Sequence, residues 1–357
     1  MKKCICIILI CALFWCCSPV VNAIESSEDI SQTMNNVEYG FSYTEQVKDD
    51  YSIVRVYEKS QQSKLDGRSQ SSIDQTEYVK QHTKAVLCSL GMGEEFIEQL
   101  SDEDITEYGA SERITSIKAY LKTDAEGNVI SIDEEEAMTV TAAPGVEEDI
   151  FDGDGGFPFW YEIDRDEDGY MEITYIVSYR GNGRYKFSID AVWLMEPLWR
   201  LNDSLGACAQ NFAIENNTRS GWYMYDQTTS MGGSKNEFLD QKVILSNFQN
   251  AEGPGNWDGS AVVFDLMDDF HVIGSANDYT IYRNHRIHYE FEATIHQWQV
   301  TTNFNATATY THTQIAIQGT PTVSIGTSGV DVSIGITPVG ASKKYSVDLP
   351  SSISHVP

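Results

Sequence analysis

The second half of the chain alternates polar and apolar residues with a period of two. In one such stretch, residues 300–317, the apolar side chains fall on a single face of an extended strand: Phe304, Ala306, Ala308 and Tyr310. The same alternation marks further segments at residues 261–266, 280–295, 322–325 and 330–336. No helix-length periodicity interrupts these strands, which argues against a parallel sheet with crossover helices. The pattern predicts a mainly β protein with a C-terminal antiparallel β-sandwich over residues 157–349.

Two shorter features of this region predict particular strand pairs. Residues 160–163, 171–179 and 184–194 are separated by Asp-rich and Gly-Asn-Gly turns, which predicts a three-stranded meander. The similarity between residues 322–326 and 331–335 is what the two strands of one hairpin would show.

A different pattern precedes the sandwich and predicts a small N-terminal α+β module over residues 76–132. Apolar residues recur there near the helical period, and Gly91 with Gly93 predicts the end of this first helix. A second, short helix is predicted at residues 94–100.

Two local signals complete this module. Ser101 and Asp104 have the S-x-x-D spacing of a helix cap, in which side-chain oxygens accept otherwise unsatisfied backbone N–H groups, so a third helical segment is predicted. Residues 114–121 and 129–132 flank a glycine-containing reversal and predict a β-hairpin.

The remaining segments are mostly polar. We interpret residues 24–75 as a leader or linker with one strand-like patch at residues 51–57. Residues 133–156 contain nine acidic residues and no basic residue, with Pro144-Gly145 in the middle, and we interpret them as an acidic linker. Residues 350–357 are assigned to a C-terminal tail.

The N-terminus has the three parts of an export signal. Lys2 and Lys3 precede an apolar run at residues 4–17, and small residues follow in Val21-Asn22-Ala23. The run is shorter than the roughly 20 residues that a membrane-crossing helix needs. We therefore predict a signal peptide over residues 1–23, a secreted, extracellular chain beginning at Ile24, and no stable membrane insertion after cleavage. A retained anchor and a lipid anchor on Cys16 or Cys17 are the alternatives.

Cysteine usage is consistent with export. Five of the seven cysteines lie in the predicted signal peptide, which leaves Cys88 and Cys208 in the mature chain. A chain of this length can bury enough apolar surface to fold without disulfides. The sequence therefore leaves open whether these two cysteines form a bridge or are two buried thiols.

Acidic charge is concentrated in the first half of the chain. Residues 24–172 hold 36 acidic and 11 basic residues, whereas residues 173–357 hold 17 acidic and 11 basic residues. A field of this sign repels nucleic acid and anionic membranes, so no nucleic-acid partner is predicted. A cationic partner and simple solubility are the two explanations that remain.

The sharpest local motif is an acidic loop at residues 164–172. Its carboxylates at positions 1, 3, 5 and 9 surround a glycine at position 6, a spacing that can wrap a calcium ion. Tyr175 stands where an EF-hand would have its bidentate glutamate, and the flanks are strand-like, so the loop resembles calcium loops on β-hairpins. We predict weak calcium binding, with an ordinary acidic turn as the alternative. The predicted ligands are Asp164, Asp166, Asp168, Tyr170 through its carbonyl, and Glu172.

Aromatic and histidine residues give two weaker candidates. Trp257 lies in a glycine-rich segment and is a candidate ligand platform, although most tryptophans are core residues. His288, Glu290, Glu292 and His296 share one face of a strand, but eight residues separate the two histidines, roughly 26 Å on an extended strand, so they cannot share a metal ion. We interpret this face as a polar, solvent-facing sheet surface.

The sequence lacks the local motifs of serine hydrolases, zinc proteases and nucleotide-binding proteins. Our preferred hypothesis is a secreted bacterial protein that is not an enzyme and binds an extracellular polymer, a glycan or a protein partner. The first alternative is an exported, carboxylate-dependent carbohydrate hydrolase. The second is a pore-forming protein that inserts β-hairpins from residues 301–336 into membranes.

Overall fold

The protein is mainly β, as the period-two alternation predicts. The structure is a computed structural model that describes residues 31–59, 72–124, 128–142, 169–195, 202–253, 256–271, 278–296, 299–313, 321–326, 329–334, 342–349 and 353–355. Within these ranges no helix is both long enough and apolar enough to cross a membrane.

The described ranges contain four helices and twenty strands. The helices are α1 (Ser72–Ser89), α2 (Glu94–Gln99), α3 (Asp102–Ala110) and α4 (Glu134–Ala142). The strands are β1 (Ser31–Asn36), β2 (Phe41–Val47), β3 (Ile53–Glu58), β4 (Arg113–Thr123), β5 (Val129–Ile132), β6 (Tyr170–Tyr179), β7 (Arg184–Trp193), β8 (Asn202–Gln210), β9 (Phe212–Met231), β10 (Ser234–Ile244), β11 (Phe248–Gly253), β12 (Trp257–Asp265), β13 (Phe270–His271), β14 (Tyr279–Ile295), β15 (Thr302–Phe304), β16 (Ala306–Thr313), β17 (Pro321–Gly326), β18 (Gly329–Ile334), β19 (Ser342–Asp348) and β20 (Ile353–His355).

Most of these strands belong to two antiparallel sheets. In the described part of the chain the larger sheet has eleven strands in the order β1-β2-β3-β4-β6-β7-β14-β9-β10, with β5 beside β4 and β13 beside β14. The smaller sheet has the order β11-β12-β8-β16-β19. Two short ladders, β15 with β20 and β17 with β18, complete the described strands. The β17–β18 ladder is the predicted hairpin.

The two sheets pack face to face around an aromatic core. Alternate side chains of β7 and β14 meet those of β8, β12 and β16 in one continuous apolar cluster. Trp193 of the larger sheet donates from Nε1 to the Tyr310 hydroxyl of the smaller sheet at 3.0 Å, and their rings meet edge to face. The apolar face predicted for residues 304–310 is buried in this core, so the antiparallel β-sandwich is confirmed.

Helices cover the opposite face of the larger sheet. Leu87, Leu90 and Phe96 pack there against Ile176 and Trp222 in a second apolar cluster. The predicted helical segments are all present as α1, α2 and α3, and the predicted hairpin is the β4–β5 pair. The protein therefore has three layers: helices, the larger sheet and the smaller sheet.

Helix α1 ends where its sequence predicts. Gly91 has a left-handed φ of +97°, and its N–H donates to the Cys88 carbonyl at 2.9 Å. The Met92 N–H donates to the Leu87 carbonyl at 3.1 Å, which completes the two-bond helix ending that glycine favours. This ending turns the chain directly into α2.

Helix α3 begins with the predicted cap. The Asp104 N–H donates to Ser101 Oγ at 3.1 Å, and the Ser101 N–H donates to Asp104 Oδ2 at 3.1 Å. This reciprocal arrangement satisfies two backbone donors that the first turn leaves without helical partners. The cap therefore fixes where α3 starts on the sheet.

The structure differs from the sequence interpretation in three segments. Strand β20 lies within residues 350–357, which we assigned to a C-terminal tail, and it pairs with β15. Strands β1, β2 and β3 lie within residues 24–75, which we interpreted mostly as leader, and α4 lies within the interpreted acidic linker at residues 133–156. The side chains of β1 are almost all exposed, so backbone pairing at the edge of the sheet does not require apolar residues there. Strands β4 and β6, from either side of the acidic segment, pair along their length. The domain division itself stays a prediction.

The two cysteines of the predicted mature chain are not bridged. Cys88 is exposed on α1, whereas Cys208 is buried in the smaller sheet. A disulfide between them would require the two elements to meet, and they lie in the outer helical layer and the opposite sheet.

Candidate functional site

The calcium loop predicted from the sequence is only partly described. Three of its aspartates lie outside the described residues: Asp164, Asp166 and Asp168. The Tyr170 carbonyl accepts the backbone N–H of Leu194 at 2.8 Å, and the Glu172 carboxylate lies 2.8 Å from Lys118 Nζ. No group of three or more His, Cys, Asp and Glu side chains within the described ranges could hold a metal ion. The calcium site stays a prediction.

Trp257 begins β12 and is half-buried. Its backbone pairs with Gln210 of β8 on one side and with Gly253 of β11 on the other. Its role as a ligand platform also stays a prediction.

The interpretation of the histidine strand as solvent-facing is wrong for three of its four residues. His288, Glu290 and Glu292 of β14 are 2%, 5% and 8% exposed, because the helical layer lies over this face of the larger sheet. Only His296, which follows the end of β14, is exposed. Alternation shows which residues share a face, but it does not show what covers that face.

These buried residues belong to a layer of charge between the helices and the larger sheet. Helix α3 contributes two residues, β7 contributes two, β14 contributes three, and the β6–β7 turn contributes one. The register of β7 and β14 places His288 opposite Asp190 and Glu292 opposite Lys186. We call this group the interlayer charge cluster: Asp104, Glu107, Arg180, Lys186, Asp190, His288, Glu290 and Glu292.

Lys186 is the centre of one half of the interlayer charge cluster. Its ammonium group donates to Asp104 Oδ1 at 2.8 Å and to Glu107 Oε2 at 3.4 Å, and it lies 3.0 Å from Glu290 Oε2. It also lies over the ring of Tyr108, 5.1 Å from the centroid. Lys186 therefore attaches α3 to two strands of the larger sheet.

His288 is the centre of the other half. Nδ1 donates to Asp190 Oδ1 at 2.6 Å, and Nε2 lies 3.5 Å from Glu290 Oε2. The ring stacks on Trp222 at 5.1 Å between centroids and approaches Phe96 of α2. The imidazole is thus enclosed by two carboxylates and two aromatic rings.

The charges in the cluster shift one another's pKa values. Burial lowers the pKa of His288, but hydrogen bonds to Asp190 and Glu290, together with their charges, outweigh burial and raise it to about 9. Burial raises the pKa of Asp190 despite the hydrogen bond from His288. The pKa of Glu290 is lowered, because His288 and Lys186 outweigh the effect of burial. His288 is therefore an imidazolium at neutral pH.

One contact of the cluster, the hydrogen bond between His288 and Asp190, resembles part of a catalytic arrangement. An aspartate that orients a histidine can activate a nucleophile at the other ring nitrogen. In this protein that nitrogen faces the Glu290 carboxylate instead of a hydroxyl or thiol. With His288 almost completely buried, the arrangement is suited to joining the helices to the sheet.

An open cavity of about 350 Å³ lies beside the turn between α1 and α2. We call it the Arg55–Lys118 groove. Its walls come from strands β2, β3 and β4, from the α1–α2 turn, and from the start of α4. The lining residues that matter below are Tyr43, Arg55, Gly91, Glu94, Lys118 and Glu134.

The two cations of the groove are held in place by ion pairs. Arg55 Nε donates to Glu45 Oε2 at 2.7 Å across the β2–β3 pair. Lys118 lies two positions from Ser116, which is paired with Arg55 on β3, so both cations lie on the same face of adjacent strands. Both are about 15% exposed. The two cations are therefore held at the floor of the groove.

Two further side chains hold charged residues of the groove: Glu172 holds Lys118, and Tyr120 holds Glu134. Glu172 forms an ion pair with Lys118, and burial raises the pKa of Glu172 although Lys118 opposes the shift. The Tyr120 hydroxyl donates to Glu134 Oε1 at 2.9 Å and positions that carboxylate at the rim. The groove thus combines fixed donors with fixed acceptors.

A glycine is required at position 91 for two separate reasons. Its φ of +97° is strained for any residue with a Cβ. A Cβ at this position would also lie 2.8 Å from Arg55 Nη1. The glycine that ends α1 therefore leaves the space that the guanidinium occupies.

A second cavity of about 310 Å³ lies on the other side of α2. Glu94, Glu95, Glu98 and Asp240 line it with carboxylates. Arg286 is also part of the lining, but it is paired with Asp240 at 2.9 Å and with an aspartate of β9. This cavity offers mainly acceptors, whereas the Arg55–Lys118 groove offers both kinds of hydrogen-bonding group.

Our sequence reasoning missed Arg55 and Lys118. Arg55 is the one basic residue of β3, where it follows Ile53 and Val54. Strand β4 holds Arg113 and Lys122 as well as Lys118. A lone cation in a largely apolar strand is the signal that could have identified Arg55, whereas no such signal distinguishes Lys118 from the other basic residues of β4. The sequence does not show that β3 and β4 are neighbours.

No known protein family matches this sequence, and no curated protein matches it. A functional assignment for this chain therefore depends on the geometry of its own residues.

Proposed function

We propose that this protein is a secreted, non-enzymatic binding protein and that its ligand occupies the Arg55–Lys118 groove. The observation that carries the proposal is the convergence of a guanidinium, an ammonium, carboxylates and a tyrosine ring at one open cavity. Small-ligand sites are typically concave and combine an enclosing wall with a few fixed polar groups.

Preorganisation of these groups supports binding. Arg55 is held by Glu45, Lys118 by Glu172, and Glu134 by Tyr120. Side chains that are already ordered lose little conformational entropy when a ligand binds. The groove therefore needs no large rearrangement to receive one.

The chemistry of the groove supports binding without turnover. Cys88 lines the groove on the exposed side of α1, but the protein atoms around it partly desolvate its thiol, and this desolvation and, next, the charge of Glu94 raise the pKa of the thiol. A thiol is a weak nucleophile while it is protonated. At neutral pH this cysteine lacks the thiolate that covalent catalysis uses.

The proposal is tested by ligand binding to the mature chain, residues 24–357. A ligand found by calorimetric screening should bind at least about tenfold more weakly to Arg55→Met and to Lys118→Met, because each removes charged hydrogen-bond donors. Lys80→Met, on α1 and outside the groove lining, is the control and should bind normally. If the groove variants bind as tightly as the unmodified protein, the ligand lies elsewhere.

The exported carbohydrate hydrolase stays a prediction. Asp190 and Glu290 have pKa values shifted in opposite directions, but they are 2% and 5% exposed beneath the helical layer, where a polysaccharide does not reach them. The pore-forming alternative stays a prediction.

A further inference from the structure

The cations of the Arg55–Lys118 groove already have opposite charges beside them. Glu45 lies 2.7 Å from Arg55, and Glu172 lies 2.8 Å from Lys118. An anionic ligand would share Arg55 and Lys118 with the two carboxylates. A cationic ligand would lie next to these two cations. The groove therefore favours neither sign of ligand charge strongly.

Hydrogen-bonding capacity in the groove exceeds what these ion pairs use. A guanidinium has five N–H donors and an ammonium has three, while the carboxylates of Glu94 and Glu134 bring acceptors to the same cavity. A hydroxyl group both donates and accepts. A ligand with many neighbouring hydroxyls matches both sets of groups without bringing charge into the groove.

An aromatic wall adds an apolar surface to these polar groups. Tyr43 is partly buried against the helical layer, and it is one of the residues that line the cavity. The electron-rich face of an aromatic ring attracts weakly positive C–H groups. A pyranose ring presents such C–H groups on one face and hydroxyls around its edge.

We propose that the ligand of the groove is a neutral carbohydrate. This inference rests on the proposed function and specifies its ligand class. Tyr43 stacks on the sugar ring, Arg55 and Lys118 donate to its hydroxyls, and Glu94 and Glu134 accept from them.

The test titrates the mature protein with neutral oligosaccharides of glucose, xylose and mannose, and separately with galacturonate oligomers, glutamate and spermidine. At least one neutral oligosaccharide should bind, with an affinity that changes less than about twofold between low and high salt. Tyr43→Ala and Lys118→Met should each weaken binding about tenfold. Tyr78→Ala, an exposed tyrosine on α1, and Lys80→Met are matched controls, and thermal melting of every variant verifies folding.

The outcomes separate the ligand class from the site. If only charged probes bind and Tyr43→Ala weakens them, the carbohydrate inference is overturned but the groove stands. If no probe binds, the carbohydrate inference and the proposed binding function both fail. If an oligosaccharide binds equally to both groove variants but not to Trp257→Ala, the site is Trp257 and the groove is rejected.

Discussion

At the scale of single residues, one glycine sets the geometry of the candidate site. Gly91 ends α1 in a left-handed conformation, and the absent Cβ leaves room for the Arg55 guanidinium. Its backbone carbonyl also accepts from the Thr174 hydroxyl at 3.3 Å. The same residue thus terminates a helix, anchors the turn to the sheet and shapes the groove.

Gly91→Ala should destabilise the protein more than Gly40→Ala. Both positions have left-handed φ values, so both variants carry a cost of about 1–2 kcal/mol for a non-glycine residue. A Cβ at Gly40 meets no atom within 4 Å, whereas a Cβ at Gly91 meets Arg55. Denaturant unfolding of the two variants measures the difference. Equal losses would show that Arg55 moves aside without cost.

At the scale of elements, α3 is held to the larger sheet by ion pairs as well as by the apolar packing of Ile105 and Tyr108. Asp104 caps the helix through Ser101 and also accepts from Lys186. Burial raises the pKa of Asp104, but Lys186 and the cap outweigh it and lower that pKa to about 2. Helix initiation and helix docking therefore depend on one carboxylate.

Lys186→Met should lower the free energy of unfolding by about 3–5 kcal/mol, because it leaves carboxylates buried without their cation. Lys80→Met is the matched control: Lys80 also pairs with an aspartate of α3, Asp102, at 2.7 Å, but that aspartate is 82% exposed. An exposed pair of this kind contributes about 0–1 kcal/mol. Chemical denaturation compares the two, and similar losses would contradict a docking role for Lys186.

At the scale of the whole molecule, the larger sheet joins strands from both sides of the acidic segment. Strands β4 and β6 pair over ten residues, from Arg113 opposite Tyr179 to Lys122 opposite Tyr170. The apolar cluster of the sandwich core contains residues from β3 through β19. Such continuity ties the stability of the first half of the chain to that of the second.

Cleavage within the acidic segment should therefore leave the two fragments associated. A specific protease site inserted between Pro144 and Gly145 would separate the chain into two pieces on a denaturing gel. In native size-exclusion chromatography the pieces should elute together, because the β4–β6 ladder and the shared core stay intact. Uncut protein carrying the same insertion is the control. Separate elution would instead support two independent domains.

Stability should fall in mildly alkaline solution because of His288. Its folded-state pKa, about 9, lies above the ordinary value of 6.5, so protonated His288 stabilises the fold. This contribution is complete below about pH 6.5 and is lost as the pH rises through about 9. Unfolding free energies measured across this range should show the loss.

Two variants connect this pH dependence to the cluster. Asp190→Asn removes a charge that raises the pKa of His288, so the loss should begin at lower pH. His296→Gln, an exposed histidine beyond β14, should leave the profile unchanged. An alkaline profile that is the same in Asp190→Asn and the unmodified protein would exclude His288 as its cause.

The sequence by itself determined the features that depend on neighbouring residues. The period of two predicted the sandwich strands, Gly91 predicted the end of α1, and Ser101 with Asp104 predicted the cap of α3. These signals are local because side-chain direction and capping hydrogen bonds involve residues only a few positions apart. The polar strands β1 and β2 lacked such a signal, since partners in the sheet hold them in place.

Only the tertiary structure decided what each face meets. His288 and Glu290 alternate with apolar residues as solvent-facing residues do. However, helices that are distant from them in sequence cover this face, so the two side chains form buried ion pairs. Arg55 and Lys118 form one groove because β3 pairs with β4, a contact that no local pattern encodes. Burial and electrostatic pairing depend on distances in space, so the charge cluster and the groove became visible only once the sheet order was known.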